Sequence, residues 1–190
     1  GNAVHSALSH EMIGEDVLIT GAGPIGLMSV KICKFAGARN IVITDENDFR
    51  LNLAKEFGAS KAVNIKTQNI KDHFEDLKII NGFDVGLEMS GNPQALNDML
   101  SNMHHGGKIS LLGLLPKTTN INWDNIIFKG LILKGIYGRE MYETWYKMTQ
   151  MLKSGLDISK VITHRISVDN FEDGFKVMES GQCGKVIMEW

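Results

Sequence analysis

The chain has 190 residues, 43% of them apolar and 22% charged, and a formal net charge of −2. This composition predicts a soluble globular protein of one domain plus an appendage, with no basic field for nucleic acid. No apolar run approaches the roughly 20 residues needed to span a membrane, and Cys33 and Cys183 lack the paired spacing of a metal site or a disulfide framework. A reducing, cytoplasmic setting is therefore expected.

Gly1-Asn2-Ala3-Val4-His5 lacks a leading Met and reads as an internal start. The spacing of Val4, Leu8 and Met12 predicts a helix over residues 2–12, stopped at Gly14. Its His5 and His10 have no metal-ligand pattern around them. A strand at Asp16–Thr20 leads into Gly21-Ala22-Gly23-Pro24-Ile25-Gly26, and a segment of helical spacing follows, with Ile25, Met28, Ile32 and Phe35 on its apolar face. In this strand–turn–helix context the three glycines have separate jobs. Gly21 permits the tight turn, Gly23 lets a pyrophosphate approach the backbone, and Gly26 lets the helix pack closely on its strand. The free N–H groups of the helix N-terminus then face the phosphates. Pro24 falls in the first helical turn, where a missing N–H costs little.

The next strand, Asn40–Thr44, ends at Asp45, 24 positions after Gly21 and close to the offset of about 20 expected for a carboxylate on the adenosine ribose. A carboxylate there accepts from both ribose hydroxyls and repels a 2′-phosphate, favouring NAD over NADP. The alternative is that Asp45 caps the helix predicted over Glu46–Phe57. Arg50, early in that helix, faces the adenosine side or is a solvated charge.

The alternation continues with a strand at Lys61–Ile65, a charged helix at Asn69–Ile80 and a strand at Phe83–Met89. A helix at Pro93–Met103, a polar turn at His104–Gly107, and strands at Lys108–Leu112 and Leu131–Ile136 follow. The pattern predicts an α/β fold, a doubly wound (Rossmann) six-stranded parallel sheet with a short C-terminal α+β appendage. Ligands bind beyond the carboxyl ends of such strands, which nominates the glycine loop, Asp45, Glu88–Gly91, Leu112–Leu114 and Ile136–Tyr137. Glu88 has no partner base, and an orienting or structural role is favoured over a catalytic one. Glu140–Ser154 reads as an amphipathic helix with Met141, Trp145, Met148 and Leu152 on one face. In the remainder, Thr163–Val168 and Lys185–Glu189 read as strands and Asn170–Ser180 as a helix, a piece too small for its own core.

Several stretches resemble the zinc-containing medium-chain dehydrogenases: Gly14–Gly26, Ile43-Thr44-Asp45, Gly82–Gly91, and above all Phe128-Lys129-Gly130 through Gly138-Arg139-Glu140-Met141 to Glu143-Thr144-Trp145-Tyr146-Lys147-Met148. The resemblance spans the whole chain. It implies NAD-dependent oxidation of the 3-hydroxyl of L-threonine to 2-amino-3-ketobutyrate in a cytoplasmic homotetramer. It also assigns coenzyme contacts to Ile25, Asp45, Arg50, Leu112-Gly113-Leu114 and Ile136-Tyr137, beside Gly21, Gly23 and Gly26 from the glycine motif. On this resemblance, residues 1–14 lead into an NAD-binding domain, 15–154, and 155–190 complete a catalytic domain. The N-terminal part of that catalytic domain, with the zinc ligands and proton relay, is expected to lie outside these residues. The chain alone should then hold no metal-ligating or catalytic residues and be inactive. The alternatives are the NAD-binding part of another polyol or alcohol dehydrogenase, or a non-catalytic NAD-binding module. A methyltransferase using the same glycine turn for S-adenosylmethionine is disfavoured by the six-strand pattern.

Overall fold

Side chains alternate across a strand, so a strand covered on both faces must be apolar at every position. Val17-Leu18-Ile19 meets that condition within strand β1 (Asp16–Thr20), all five of whose residues are buried. In the computed structural model, which describes residues 1–190, β1 lies in the middle of a six-stranded sheet. Val17 and Ile19 enter one core with Ile41, Ile43, Val85 and Leu87. Leu18 enters the other with Val42, Val63, Phe83 and Ile109.

The remaining strands are β2 (Asn40–Asp45), β3 (Lys61–Asn64), β4 (Phe83–Glu88), β5 (Met103–Leu111) and β6 (Ile132–Gly135). All pairings are parallel and the order is β3-β2-β1-β4-β5-β6. The predicted doubly wound fold is thus present, and its order reverses between β1 and β4, where a crevice opens. The helices are α1 (Asn2–Ala7), α2 (Pro24–Phe35), α3 (Asp48–Phe57), α4 (Phe74–Leu77), α5 (Pro93–Asn102), α6 (Trp123–Lys129), α7 (Glu143–Lys153) and α8 (Phe171–Glu179). Strands β7 (Ile162–Ser167) and β8 (Lys185–Glu189) form a separate parallel pair bridged by α8. No helix is long and apolar enough to cross a membrane. Both cysteines are free and buried, and burial pushes the Cys33 thiol up to about 12.

Several elements depart from the sequence pattern. The first helix stops at Ala7 rather than continuing to residue 12. The predicted helix over 69–80 is a 3-10 turn, Ile70–His73, followed by the four residues of α4. Its start is capped, Asn69 and Asp72 exchanging bonds, but Lys78 adopts a left-handed φ of 55° and closes it early. Residues 104–107 belong to β5, where the ladder with β4 is irregular between the Phe83–Met103 and Val85–Lys108 pairs.

Helix α6 was not anticipated. Asn122 caps it by accepting the Asn125 N–H, and Gly130 ends it in the left-handed conformation. Lys129 then reaches the C-terminal end of α5, donating to the Leu100, Ser101 and Met103 carbonyls at 2.7–3.0 Å. On α2 the fully buried residues include Leu27, Val30 and Cys33, whereas Phe35 is 43% exposed. On α7 the inward residues are Thr144, Met148 and Met151. Met141 and Leu152 face solvent, and Trp145 instead lies 5.4 Å beneath the Arg139 guanidinium.

At the opposite end of the sheet from the crevice, Asp16 is buried and paired with Arg39. Beside it the Glu15 carboxyl is pushed above its ordinary value by burial and by the Asp84 carboxylate, with partial relief from Lys108. A carboxyl whose folded value is raised contributes stability below its unfolded value and loses it as pH rises through the folded value. Glu15→Gln should therefore raise the urea midpoint at about pH 7 and leave it almost unchanged at about pH 3.5, below the ordinary glutamate value. Paired denaturation curves at the two pH values check this.

Candidate functional site

The backbone between β1 and α2 is set by what its glycines lack. Gly21 has φ +90°, and a Cβ on it would stand 3.0 Å from Ser90 Cα. A Cβ on Gly26 would lie 2.0 Å from the Gly21 carbonyl oxygen. At Gly23, which caps α2, a Cβ would meet nothing within 4 Å. The first turn of α2 thus rests directly on the end of β1, and the space above Gly23 is open to a group approaching the helix N-terminus. Pro24 occupies the first position of α2.

Asp45 closes this loop from the side. Its Oδ2 accepts the Ala22 N–H at 2.7 Å, and its Oδ1 accepts the Glu46 and Asn47 N–H groups at 2.8 and 2.9 Å. Asp45 is not the cap of α3. That role falls to Asn47, whose side-chain oxygen accepts the Arg50 N–H at 3.2 Å. Gly21 and Asp45 line one cleft of about 220 Å³ with Thr44, Glu46, Ile65, Ser90, Asn92 and Ala95. The Nε of Arg50 is buried with no protein partner.

Glu88 is fully buried. Its Oε1 gathers the Thr20 hydroxyl, the Ser90 hydroxyl and N–H, and the Gly91 N–H, while its backbone carbonyl accepts from Leu112 and Gly113 at 3.0 and 3.1 Å. These bonds give it an orienting role, tying together the loops at the ends of β1, β4 and β5. Ile136 is buried and donates its N–H to the Leu111 carbonyl at 2.8 Å, whereas Tyr137 and Leu114 are almost fully exposed.

The expected site residues are therefore distributed unevenly. Gly21, Gly23, Gly26 and Asp45 surround one loop, and Gly21 and Asp45 share the cleft. Ile25 is half-buried against the first core, on α2. Leu112, Gly113, Leu114, Ile136 and Tyr137 do not line the cleft but follow in strand order along the same carboxyl edge of the sheet. Ile65, Asn92 and Ala95 in the cleft carried no sequence signal of their own, although Asn92 stands where a cap for α5 was to be expected. No group of three or more His, Cys, Asp or Glu side chains is arranged to hold a metal ion, so the residues present do not make a zinc site.

A crevice at the switch point, a glycine loop and a strand-end carboxylate define the class of an open α/β nucleotide-binding fold. The sequence profile of the family described as zinc-binding dehydrogenase matches residues 24–154, and the chain belongs to that family. It is 62% identical over all 190 residues to an L-threonine 3-dehydrogenase of Chromobacterium violaceum and 58% identical to that of Aliivibrio fischeri strain MJ11. It covers 56% and 55% of those proteins, so the chain spans about half the length of the curated relatives it matches. Among solved structures, L-idonate 5-dehydrogenase of Escherichia coli aligns over the full chain and 54% of its own length, with a TM-score of 0.87 at 27% identity. The 2R,3R-butanediol dehydrogenase of Bacillus subtilis shares the fold with a TM-score of 0.87 at 23% identity, the alignment covering the whole chain and 55% of that structure.

The glycine contacts separate fold from site. Gly26→Ala should cost about 1–3 kcal/mol, because the Cβ meets backbone that cannot yield. Gly23→Ala has an accessible conformation, φ −66° and ψ 178°. Its entropy gain and its poorer capping offset each other to within about 0.5 kcal/mol. Urea midpoints of the two variants test the contrast.

Proposed function

We propose that the chain is the coenzyme-binding half of an L-threonine 3-dehydrogenase, with NAD as its coenzyme. The carrying observation is the juxtaposition of Gly21 and Asp45 in one cleft below the N-terminus of α2. The 62% identity over every residue to a protein of that name supports the choice of substrate. On this reading residues 15–154 form the NAD-binding domain, 1–14 lead into it, and 155–190 contribute to a catalytic domain. The pyrophosphate lies over Gly23 at the helix N-terminus, where free N–H groups and the helix dipole favour an anion. Asp45 accepts from the adenosine ribose, Arg50 lies on the adenosine side, and Leu112–Leu114 with Ile136–Tyr137 line the path to the nicotinamide. Glu88 holds the loops and does not touch the reacting atoms.

A zinc ion elsewhere in the whole enzyme would polarise the threonine hydroxyl; the side chains of these residues bind and orient the coenzyme. Cytoplasmic location and homotetrameric assembly belong to the same reading. Hydride transfer in the whole enzyme would convert L-threonine and NAD to 2-amino-3-ketobutyrate and NADH.

Titration calorimetry should show NAD binding with NADP clearly weaker; equal or tighter NADP binding would sink the role given to Asp45. Gly23→Ala should weaken NAD binding about tenfold or more while leaving the fold intact, since a methyl stands where the phosphates approach. With L-threonine, NAD and zinc, the 190 residues alone should produce no NADH.

A further inference from the structure

Residues 162–190 make one hydrogen bond to residues 1–154: the Asn47 side-chain amide donates to the Gly181 carbonyl, Nδ2 to oxygen 3.0 Å, across 134 positions of sequence. Gly181 sits in the turn between α8 and β8 with φ +71°, and a Cβ on it would press to 2.8 Å from the same Nδ2. Both ends of the Asn47 amide are in use, because its oxygen caps α3. Its backbone N–H, in turn, is bound to Asp45 Oδ1. A chain of two bonds therefore runs from the Asp45 carboxylate to the C-terminal unit. The other ties of that region are of a different kind. Leu156 and Val161 are buried in the first core, and Lys160 and Glu56 form an exposed pair at 3.6 Å.

The Asp45 carboxylate is nearly saturated. Its two oxygens offer about four lone-pair sites, and the Ala22, Glu46 and Asn47 N–H groups occupy three. A ribose hydroxyl can fill the remaining site, so a bound diol completes the set of donors on the carboxylate that already includes the Asn47 N–H.

We infer that Asn47 is a positioning residue that couples the binding of the adenosine ribose diol at Asp45 to the seating of the β7–α8–β8 unit. The inference rests on the coenzyme reading above. Coupling of this kind is reciprocal: a ligand that steadies the Asp45–Asn47 turn steadies the Gly181 turn, and loosening the Gly181 turn weakens the ligand by the same factor.

Asn47→Asp and Asn47→Ser both keep an oxygen to cap α3 and remove the Nδ2 donor. Amide hydrogen exchange of the 190-residue chain, with and without saturating NAD, reads the coupling directly. In the unsubstituted chain NAD should slow exchange of the β7–β8 ladder about two- to tenfold, the range expected for one net hydrogen bond, along with the backbone of Gly21–Gly26. In both variants the Gly21–Gly26 protection should persist and the β7–β8 effect should vanish. Equal slowing of β7–β8 in the variants overturns the role of Asn47, as does protection confined to the glycine loop in the unsubstituted chain. If NAD protects neither region, the coenzyme assignment itself fails and the inference falls with it.

Discussion

The carboxyl edge of the sheet depends on α2 beginning in contact with the end of β1. That contact exists because Gly26 has no Cβ to strike the Gly21 carbonyl. Any side chain there would lift the helix, and with it the N-terminal N–H groups that face the crevice. The rest of the edge is then built outward from β1. Thr20 accepts the Met89 N–H and donates its hydroxyl to Glu88, and Glu88 holds the turn after β4 and the start of the segment after β5. One close backbone contact and one buried carboxylate thus align three strand ends.

The two carboxylates at this edge are stabilised in similar ways but are exposed to different extents. Glu88 gathers N–H and O–H donors and Asp45 gathers N–H donors, the arrangement that makes an ionised oxygen acceptable away from water. Glu88 is closed over completely, and a Cβ on Gly113 would come within 2.3 Å of its free oxygen, Oε2, so the segment after β5 must pass it as glycine. Asp45 borders open space and can exchange partners. A buried carboxylate whose one oxygen gathers four donors holds loops, whereas a carboxylate at the wall of a cleft keeps a site open to a ligand's donor. This difference in exposure separates the two carboxylates more clearly than residue type does.

The parallel sheet was legible because β1, β2 and β4 are apolar on both faces, a pattern that side-chain alternation makes hard to satisfy otherwise. The closeness of the glycine loop and Asp45 was legible because it depends on spacing along the chain. Helix α6 was not, since none of its residues is buried and its Trp123, Ile127 and Phe128 point outward, leaving only the Asn122 and Gly130 caps as signals. The segment 69–80 misled in the opposite direction. Its Lys71, Glu75 and Lys78 are good helix formers, but propensity is a weak prior, and Lys78 turns the chain out after α4. Asp45 can be read from the sequence as a cap, a role that the structure gives to Asn47. Their separate roles emerge only once β2 and the glycine loop lie side by side, which no local pattern encodes.

Asn47 also shows why the C-terminal unit is the least legible part. Its contacts with the six-stranded fold are few and distant in sequence: four apolar residues (Leu156, Ile158, Val161 and Ile162), an exposed ion pair and one amide. Its own surface keeps Phe171, Phe175 and Met178 about half exposed and Trp190 fully so, whereas the sheet of the first 154 residues has a covered core on each face. A unit held this lightly can shift at small cost in free energy, since local opening is cheapest where few apolar contacts are broken. A single hydrogen bond, negligible within the main core, is a substantial part of what fixes this unit. The position of that bond, one turn from the carboxylate at the wall of the cleft, lets a ligand at one end of the fold influence the order of the other.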